Sequence, residues 1–476
     1  MRKIFILMVI TWCVSGYAQR VLSLEESINI ALEQSYSIKS AELSLLSSKR
    51  NLESIRSGLM TSVNLEFDIP RYSRSLKSQF NPDTQSEQFF QIGSTVLESR
   101  LYFTQPIPFT NGSFSLVGSI FGREQFSETI GTFRDYYSNL SLRFRQPLFA
   151  FNSLRASLER AEINLERSER NYNRATQDIV YNVKQRFFQL FKAKKNVEIV
   201  EEKVNQVSLS YEKALNKFKA GLVAEVEALQ LELDLTSGRN ELLNAKVSLS
   251  EAKDNFKLLI GLPLDEDIDV VAEVEFKPID VDVTFATEQA LQNRPEILNA
   301  GADIKLNELT VDEVDYRGNI SALLTANYGI NKNDDKIEDI FHKFADDRSV
   351  NLTLSIPVWD WGKSKLEVES ARANLKQAEL GLMNEKEEVK REIISAINKI
   401  SSARARVEVL SKSVELAQKS YDISYARFQS GTITSFDLSQ MQLRLTDAKT
   451  NSLNALIDYK LAMAELIRLT YYDFEK

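Results

Sequence analysis

Two hydrophobic periods divide the chain. Phe187, Leu190, Phe191, Val197, Val200, Val204, Val207 and Tyr211 recur three or four residues apart with charges between them. That is the apolar stripe of a long, coiled-coil-like helix. "SVNLEFDI" alternates instead, with Val63, Leu65, Phe67 and Ile69 on one face and Ser62, Asn64, Glu66 and Asp68 on the other. A period of two predicts a strand. The same alternation marks "NLSLRFR" from Asn139, "VNLTLSI" from Val350 and, less cleanly, "ISALLTANYGI" from Ile320. Charge runs such as "NEKEEVKREI" read as solvated helix faces.

The pattern occurs twice. At an offset of 210, Pro147 falls on Pro357, Phe149 on Trp359, Phe151 on Trp361, Tyr211 on Tyr421, Gly221 on Gly431 and Gln230 on Gln440. Earlier, "ALEQSYSI" (Ala31 to Ile38) lies over "ALQNRPEI" (Ala290 to Ile297) at an offset of 259, so the first half carries 49 extra residues between about 70 and 140. The first repeat, 19–261, reads as a helix over roughly 22–58, strands within about 62–149, a long helix over 152–220 and a return helix over 224–259. A linker, 262–285, leads to the second repeat, 286–476. Its helix covers 286–316, its strands about 320–330 and 349–358, its long helix 362–430 and its return helix 434–470. Gly221 and Gly431 are read as left-handed residues that end the long helices, so that each half forms a helical hairpin. At 1.5 Å per residue each long helix is a rod of roughly 100 Å.

The strands admit two readings. A soluble sheet with one buried face would alternate in this way. So would a membrane barrel, which needs about ten residues per crossing. Aromatic residues at the strand ends favour the barrel: Phe149, Phe151, Trp359 and Trp361 would form one interfacial girdle, and Tyr72, Phe133, Tyr136 and Tyr137 the other. One chain offers four such strands, too few to close, so a barrel is shared between chains, and three chains give twelve strands. The insertion carries a hairpin signal, Asn111-Gly112 between "SRLYFTQPIPF" and "SFSLVGSIFG". Either this 97–126 hairpin joins the sheet and a trimer has eighteen strands, or it packs beside twelve.

Composition narrows the chemistry. Gly (16) and Pro (9) are scarce for 476 residues, which suits long helices. "MRKIFILMVITWCVSGYAQR" reads as a signal peptide, residues 1–18, cut after Ala18; its apolar run is short for a membrane anchor. The single cysteine, Cys13, lies within it, which excludes disulfides and thiol chemistry from the exported part. Loss of Arg2 and Lys3 takes the formal charge from −8 to −10, against nucleic acid as a partner. The one histidine, His342, sits in an acidic loop segment without a second ligand of its kind. No phosphate loop or hydrolytic arrangement is legible, so the chain reads as neither an enzyme nor a cofactor or metal protein.

With the duplication, "GLVA" (Gly221 to Ala224), "GTITSFD" (Gly431 to Asp437), "LSLEESINIALEQS" and "LLIGLPL" in view, the chain resembles the TolC family of outer membrane efflux proteins over nearly its whole exported length. The resemblance implies a mainly α fold with membrane β-structure. In it, a homotrimer shares a transmembrane barrel in the outer membrane lipid of a Gram-negative bacterium and continues as a periplasmic α-helical tunnel. It also implies that the tips, Gly221, Leu222, Val223 and Ala224 with Gly431, Thr432, Ile433 and Thr434, dock a periplasmic adaptor (membrane fusion protein) served by an inner membrane RND or ABC exporter. The family's second tip carries an arginine and two aspartates near the pore constriction. Asp437 matches the first aspartate, but Gln440 stands at the second and Ile433 at the arginine, so an ionic lock is not carried over; Glu227 matches the acidic position of the first repeat. Asp437 is read as a helix cap, as part of a charged pore ring, or as both. The rival reading is a periplasmic coiled-coil adaptor or scaffold without its own channel.

Overall fold

The structure, a computed structural model, describes residues 20–81, 84–127, 131–272 and 275–474. The leader expected at 1–18 lies outside the described residues. The chain divides into a helical unit (residues up to Ser44, Glu169–Leu298 and Met383 onward) and a sheet unit (Leu45–Ser168 and Asn299–Leu382). No described helix is long and apolar enough to cross a membrane.

Four helices make each repeat's helical part. In the first they are α1 (Leu24–Gln34), α2 (Tyr36–Gly58), α3 (Ser153–Lys219) and α4 (Glu225–Ile260). In the second they are α5 (Val283–Asn293), α6 (Pro295–Arg317), α7 (Lys363–Gln429) and α8 (Ser435–Thr470). The two long helices have 67 residues each and the two return helices 36 each, the duplication written in structure.

The single leading helix expected in each repeat is in fact two. Ser35 and Arg294 both leave the helical region, with ψ of 141° and 127°. Arg294 precedes Pro295, whose ring drives the preceding residue to extended geometry. In the first repeat the Ser35 hydroxyl does similar work, accepting the Ile38 amide at 3.4 Å and so starting a new helix. The 262–285 linker also holds an unforeseen strand. There β6 (Ile268–Val270) pairs in parallel with β1 (Arg20–Leu22), Arg20 opposite Ile268 and Leu22 opposite Val270.

The helical unit's main core forms around this ribbon. Leu22, Ala31, Val183, Phe187, Phe256, Ile260 and Ile268 are buried together, and Phe187 meets Phe256 edge-on at 6.0 Å. Lys194 of α3 donates to Asp269 Oδ2 (2.7 Å) and to the Val270 carbonyl (3.0 Å), tying the long helix to the ribbon.

The sheet unit holds one antiparallel sheet of six strands in the order β2-β3-β4-β5-β7-β8. These are β2 (Ser62–Asn81), β3 (Ser86–Ile107), β4 (Gly112–Ser127), β5 (Gly131–Leu148), β7 (Ser321–Asp334) and β8 (Ala345–Ser355). The inserted hairpin is thus β3 and β4, bonded into the middle of the sheet rather than packed beside it. The first four strands, at 20, 22, 16 and 18 residues, also exceed the ten or so expected. Apolar alternation stops near Ile69, but backbone pairing resumes beyond a bulge between Asp68 and Arg71 and runs to Asn81 opposite Ser86. Hydrophobic alternation reports what a strand faces, and a ladder can outrun it.

The turn between β3 and β4 is longer than the two-residue Asn-Gly turn its sequence suggests. Residues 108–111 form it, Asn111 alone has positive φ (58°), and Gly112 already pairs with Ile107. Asn111 is recruited elsewhere: its Oδ1 accepts from Ser153 Oγ (3.1 Å) and the Leu154 amide (3.3 Å), and its Nδ2 donates to the Phe151 carbonyl (3.1 Å). The turn therefore caps the first residues of α3.

Candidate functional site

Two places collect the residues singled out by sequence: the hairpin tips in the helical unit and the helix-proximal end of the sheet in the other. At the tips, Gly221 and Gly431 take φ of 73° and 77°. The Gly221 amide donates to the Phe218 carbonyl and Leu222 to that of Lys217, both at 2.8 Å; Gly431 donates to Phe428 (3.1 Å) and Thr432 to Arg427 (2.9 Å). This doubly bonded closure satisfies the last carbonyls of each long helix and leaves the next residues outside, Leu222 being 73% exposed.

The two tips touch. Lys217 reaches from α3 to the end of α7, donating to the Phe428 carbonyl at 2.8 Å and that of Gln429 at 3.1 Å, where the helix dipole favours a cation. One turn earlier Lys213 donates to Tyr425 Oη at 2.9 Å and draws that phenol below its ordinary range. Beneath them Ala214, Ala228, Leu231, Tyr421, Phe428 and Leu438 form a small core, with Ile433 packed against it.

The return helices start differently. Ala224 precedes α4 with no side-chain cap, and Val223 beside it is half-buried. Thr434 closes a capping box on α8: its Oγ1 accepts the Asp437 amide at 3.2 Å, and Asp437 Oδ2 accepts the Thr434 amide at 3.2 Å. The Thr434 hydroxyl, donating to that same oxygen at 2.8 Å, and then the Thr434 amide hold the exposed Asp437 carboxyl below the usual carboxylate range. Glu227 of the first hairpin completes the cap from across the tip, accepting the Ser435 amide at 3.0 Å. Glu227 and Asp437 thus converge on the amides that begin α8 without bonding each other. Asp234 adds a second tie, accepting from Ser439 Oγ at 2.5 Å, while Gln440 is exposed. Lys213, Lys217, Asp234 and Ser439 escaped the sequence reading, although a basic residue followed by Phe precedes each glycine, as Lys217-Phe218 and Arg427-Phe428.

At the sheet's helix-proximal end Phe149, Trp359 and Trp361 are exposed, Trp361 to 86%, and the two indoles meet edge-on at 5.5 Å. Phe151 differs, since Tyr316 covers it with ring centres 6.1 Å apart. Phe149 and Trp361 hold positive φ (56° and 57°) where the chain leaves the sheet for a long helix. Asp360 prepares that exit, accepting from the Gly362 (2.9 Å) and Ser364 (2.8 Å) amides.

Beyond these aromatics one face of the sheet is an open apolar surface. Phe67, Ile69 and Val350 are 70%, 86% and 78% exposed, and Leu65, Leu140, Leu142, Leu352 and Leu354 share the face. The opposite face carries Glu66, Asp68, Glu98 and Arg100, with Arg100 bridging all three acids. An apolar surface of this size marks a lipid or protein contact.

The sequence profile of the outer membrane efflux proteins matches residues 113–262 and 286–470, most of the chain. The chain belongs to the outer membrane efflux protein family. Among family relatives, it is 21% identical over 336 residues to outer membrane protein TolC of Vibrio cholerae, covering 68% of this chain and 74% of that one. To the alkaline protease secretion protein AprF of Pseudomonas aeruginosa it is 22% identical over 389 residues, 80% of this chain and 78% of the relative. Its fold is that of the Campylobacter jejuni CmeC outer membrane channel (TM-score 0.70, 17% identity, 94% of this chain and 85% of that one). CusC superposes equally well (TM-score 0.70, 15% identity, 97% and 95%). The family resemblance read from the tips and the duplication therefore holds.

Proposed function

We propose that three copies of this outer membrane efflux protein form a passive exit duct. The shared barrel sits in the outer membrane, and the helical hairpins line a periplasmic tunnel whose tips dock an adaptor fed by an inner membrane RND or ABC exporter. One observation carries this: the sheet leaves a broad apolar face exposed while β2 and β8 each pair on one side only among the described residues. A lone copy would leave open edges in lipid, which only closure with other copies removes. A soluble adaptor or scaffold has no use for such a face.

The tips suit docking because their closure spends backbone groups internally and leaves Leu222, Ala224 and Thr432 exposed on the surface. Cysteines introduced at Leu222 and Thr432 in separate variants, in a chain whose one cysteine precedes the described residues, are expected to trap a single adaptor on crosslinking in cells. Intact outer membrane trimers that trap no adaptor at either position would refute the docking.

At the constriction, three copies of Asp437 would form an anionic ring. Asp437→Ala, measured in planar bilayers, is expected to lose cation preference severalfold. Unchanged selectivity would leave Asp437 only its cap.

A further inference from the structure

The sheet edges point to a second copy of this chain as their partner, and we infer that the shared barrel has eighteen strands, six from each of three copies. The inference rests on the trimeric duct proposed above and goes beyond it in fixing which strands meet and how wide the outer opening is.

The count follows from the topology. The inserted hairpin cannot leave the sheet without separating β2 from β5, because β3 pairs with β2 along the ladder from Ser62 opposite Thr104, and β4 pairs with β5 from Ser113 opposite Arg145. With six strands alternating in direction, β2 and β8 run antiparallel, so β8 of one copy meets β2 of the next in the same sense as every other pair.

The register shows that this sheet is tilted as a barrel is. Residues opposite one another across the strands run from Glu66 through Arg100, Ser119, Asn139 and Asn331 to Ala345. Glu66 is the centre of the apolar run Val63–Ile69 on β2, but the apolar run that begins on β8 and ends one residue past it, Val350–Ile356, centres on Thr353 rather than on Ala345. The apolar band therefore slips by about eight residues over five strand-to-strand steps, or roughly 26 Å along the strands against about 24 Å across them. Strands must incline by about 45° to keep that band level, the tilt of membrane-spanning strands.

Continuing the same slip by one more step places Thr353 beside Glu66 or Asp68 of the next copy, and Leu354 beside Leu65 or Phe67 on the lipid side. Barrel diameter grows roughly in proportion to strand number, so eighteen strands make an opening about half again as wide as twelve.

Two measurements test this. Leu354→Cys combined with Leu65→Cys or with Phe67→Cys should give covalent dimers and trimers on mild oxidation in the outer membrane, at least tenfold more than any single variant. Electron cryomicroscopy of the unmodified protein in lipid nanodiscs should show three copies and eighteen strands. Trimers with twelve strands, or trimers in which neither cysteine pair links, overturn the inference and leave the duct standing. A particle of two copies closing twelve strands overturns the trimeric reading itself.

Discussion

Leu352→Arg is expected to prevent stable assembly in the outer membrane, whereas Thr353→Arg, one residue on, leaves it nearly intact. The two side chains point to opposite faces of β8, Leu352 onto the open apolar surface and Thr353 onto the polar one. Both are exposed in the chain, so burial alone predicts no difference. In a soluble sheet each substitution would fall within about 0.5 kcal/mol. In a barrel, Leu352 lies near the middle of the band and an arginine there costs about 2–4 kcal/mol, while the lumen accepts the charge. The fraction of heat-modifiable trimer in outer membrane extracts, with urea midpoints in lipid vesicles, separates the cases. Equal behaviour of the two variants would remove the barrel.

What the sequence disclosed was local. Gly221 and Gly431 read as helix ends because a left-handed closure needs only a few consecutive residues, and Thr434 with Asp437 read as a cap for the same reason. The long helices showed themselves through a stripe repeated over many turns. The contacts that join distant segments were hidden: Glu227 reaching the Ser435 amide, Lys217 reaching the Phe428 carbonyl, and the ribbon of β1 with β6, whose three-residue strands are too short to show a period. The breaks at Ser35 and Arg294 were legible in principle, since Pro295 announces one of them. They were masked by apolar spacing that continues through the break. Strand length was understated for a different reason, as the paired ribbon of β2 and β3 extends past the residues that face an apolar medium.

The "LLIGLPL" segment carries a sharper consequence than its resemblance to relatives suggests. Gly261→Ala is expected to destabilise the helical unit by about 3 kcal/mol, more than Gly431→Ala, although both glycines hold nearly the same φ, 85° and 77°. The left-handed conformation costs an alanine roughly 1–2 kcal/mol at either place. At Gly431 nothing lies within 4 Å of the added methyl, so the cost stops there. At Gly261 the methyl would sit 2.6 Å from the Gln34 carbonyl oxygen and 2.8 Å from its carbon, backbone atoms at the end of α1 that cannot turn aside. Separating α1 from α4 adds about 1–3 kcal/mol of overpacking, beside buried Ala31 and Ile260. The second repeat isolates the cause: Tyr471, at the position equivalent to Gly261, holds φ of 57° with a full side chain. Backbone conformation alone therefore does not demand glycine at this corner, and the approach of α1 does. Denaturant midpoints of the two alanine variants decide it, since equal losses would assign the effect to φ and leave the contact between α1 and α4 without consequence.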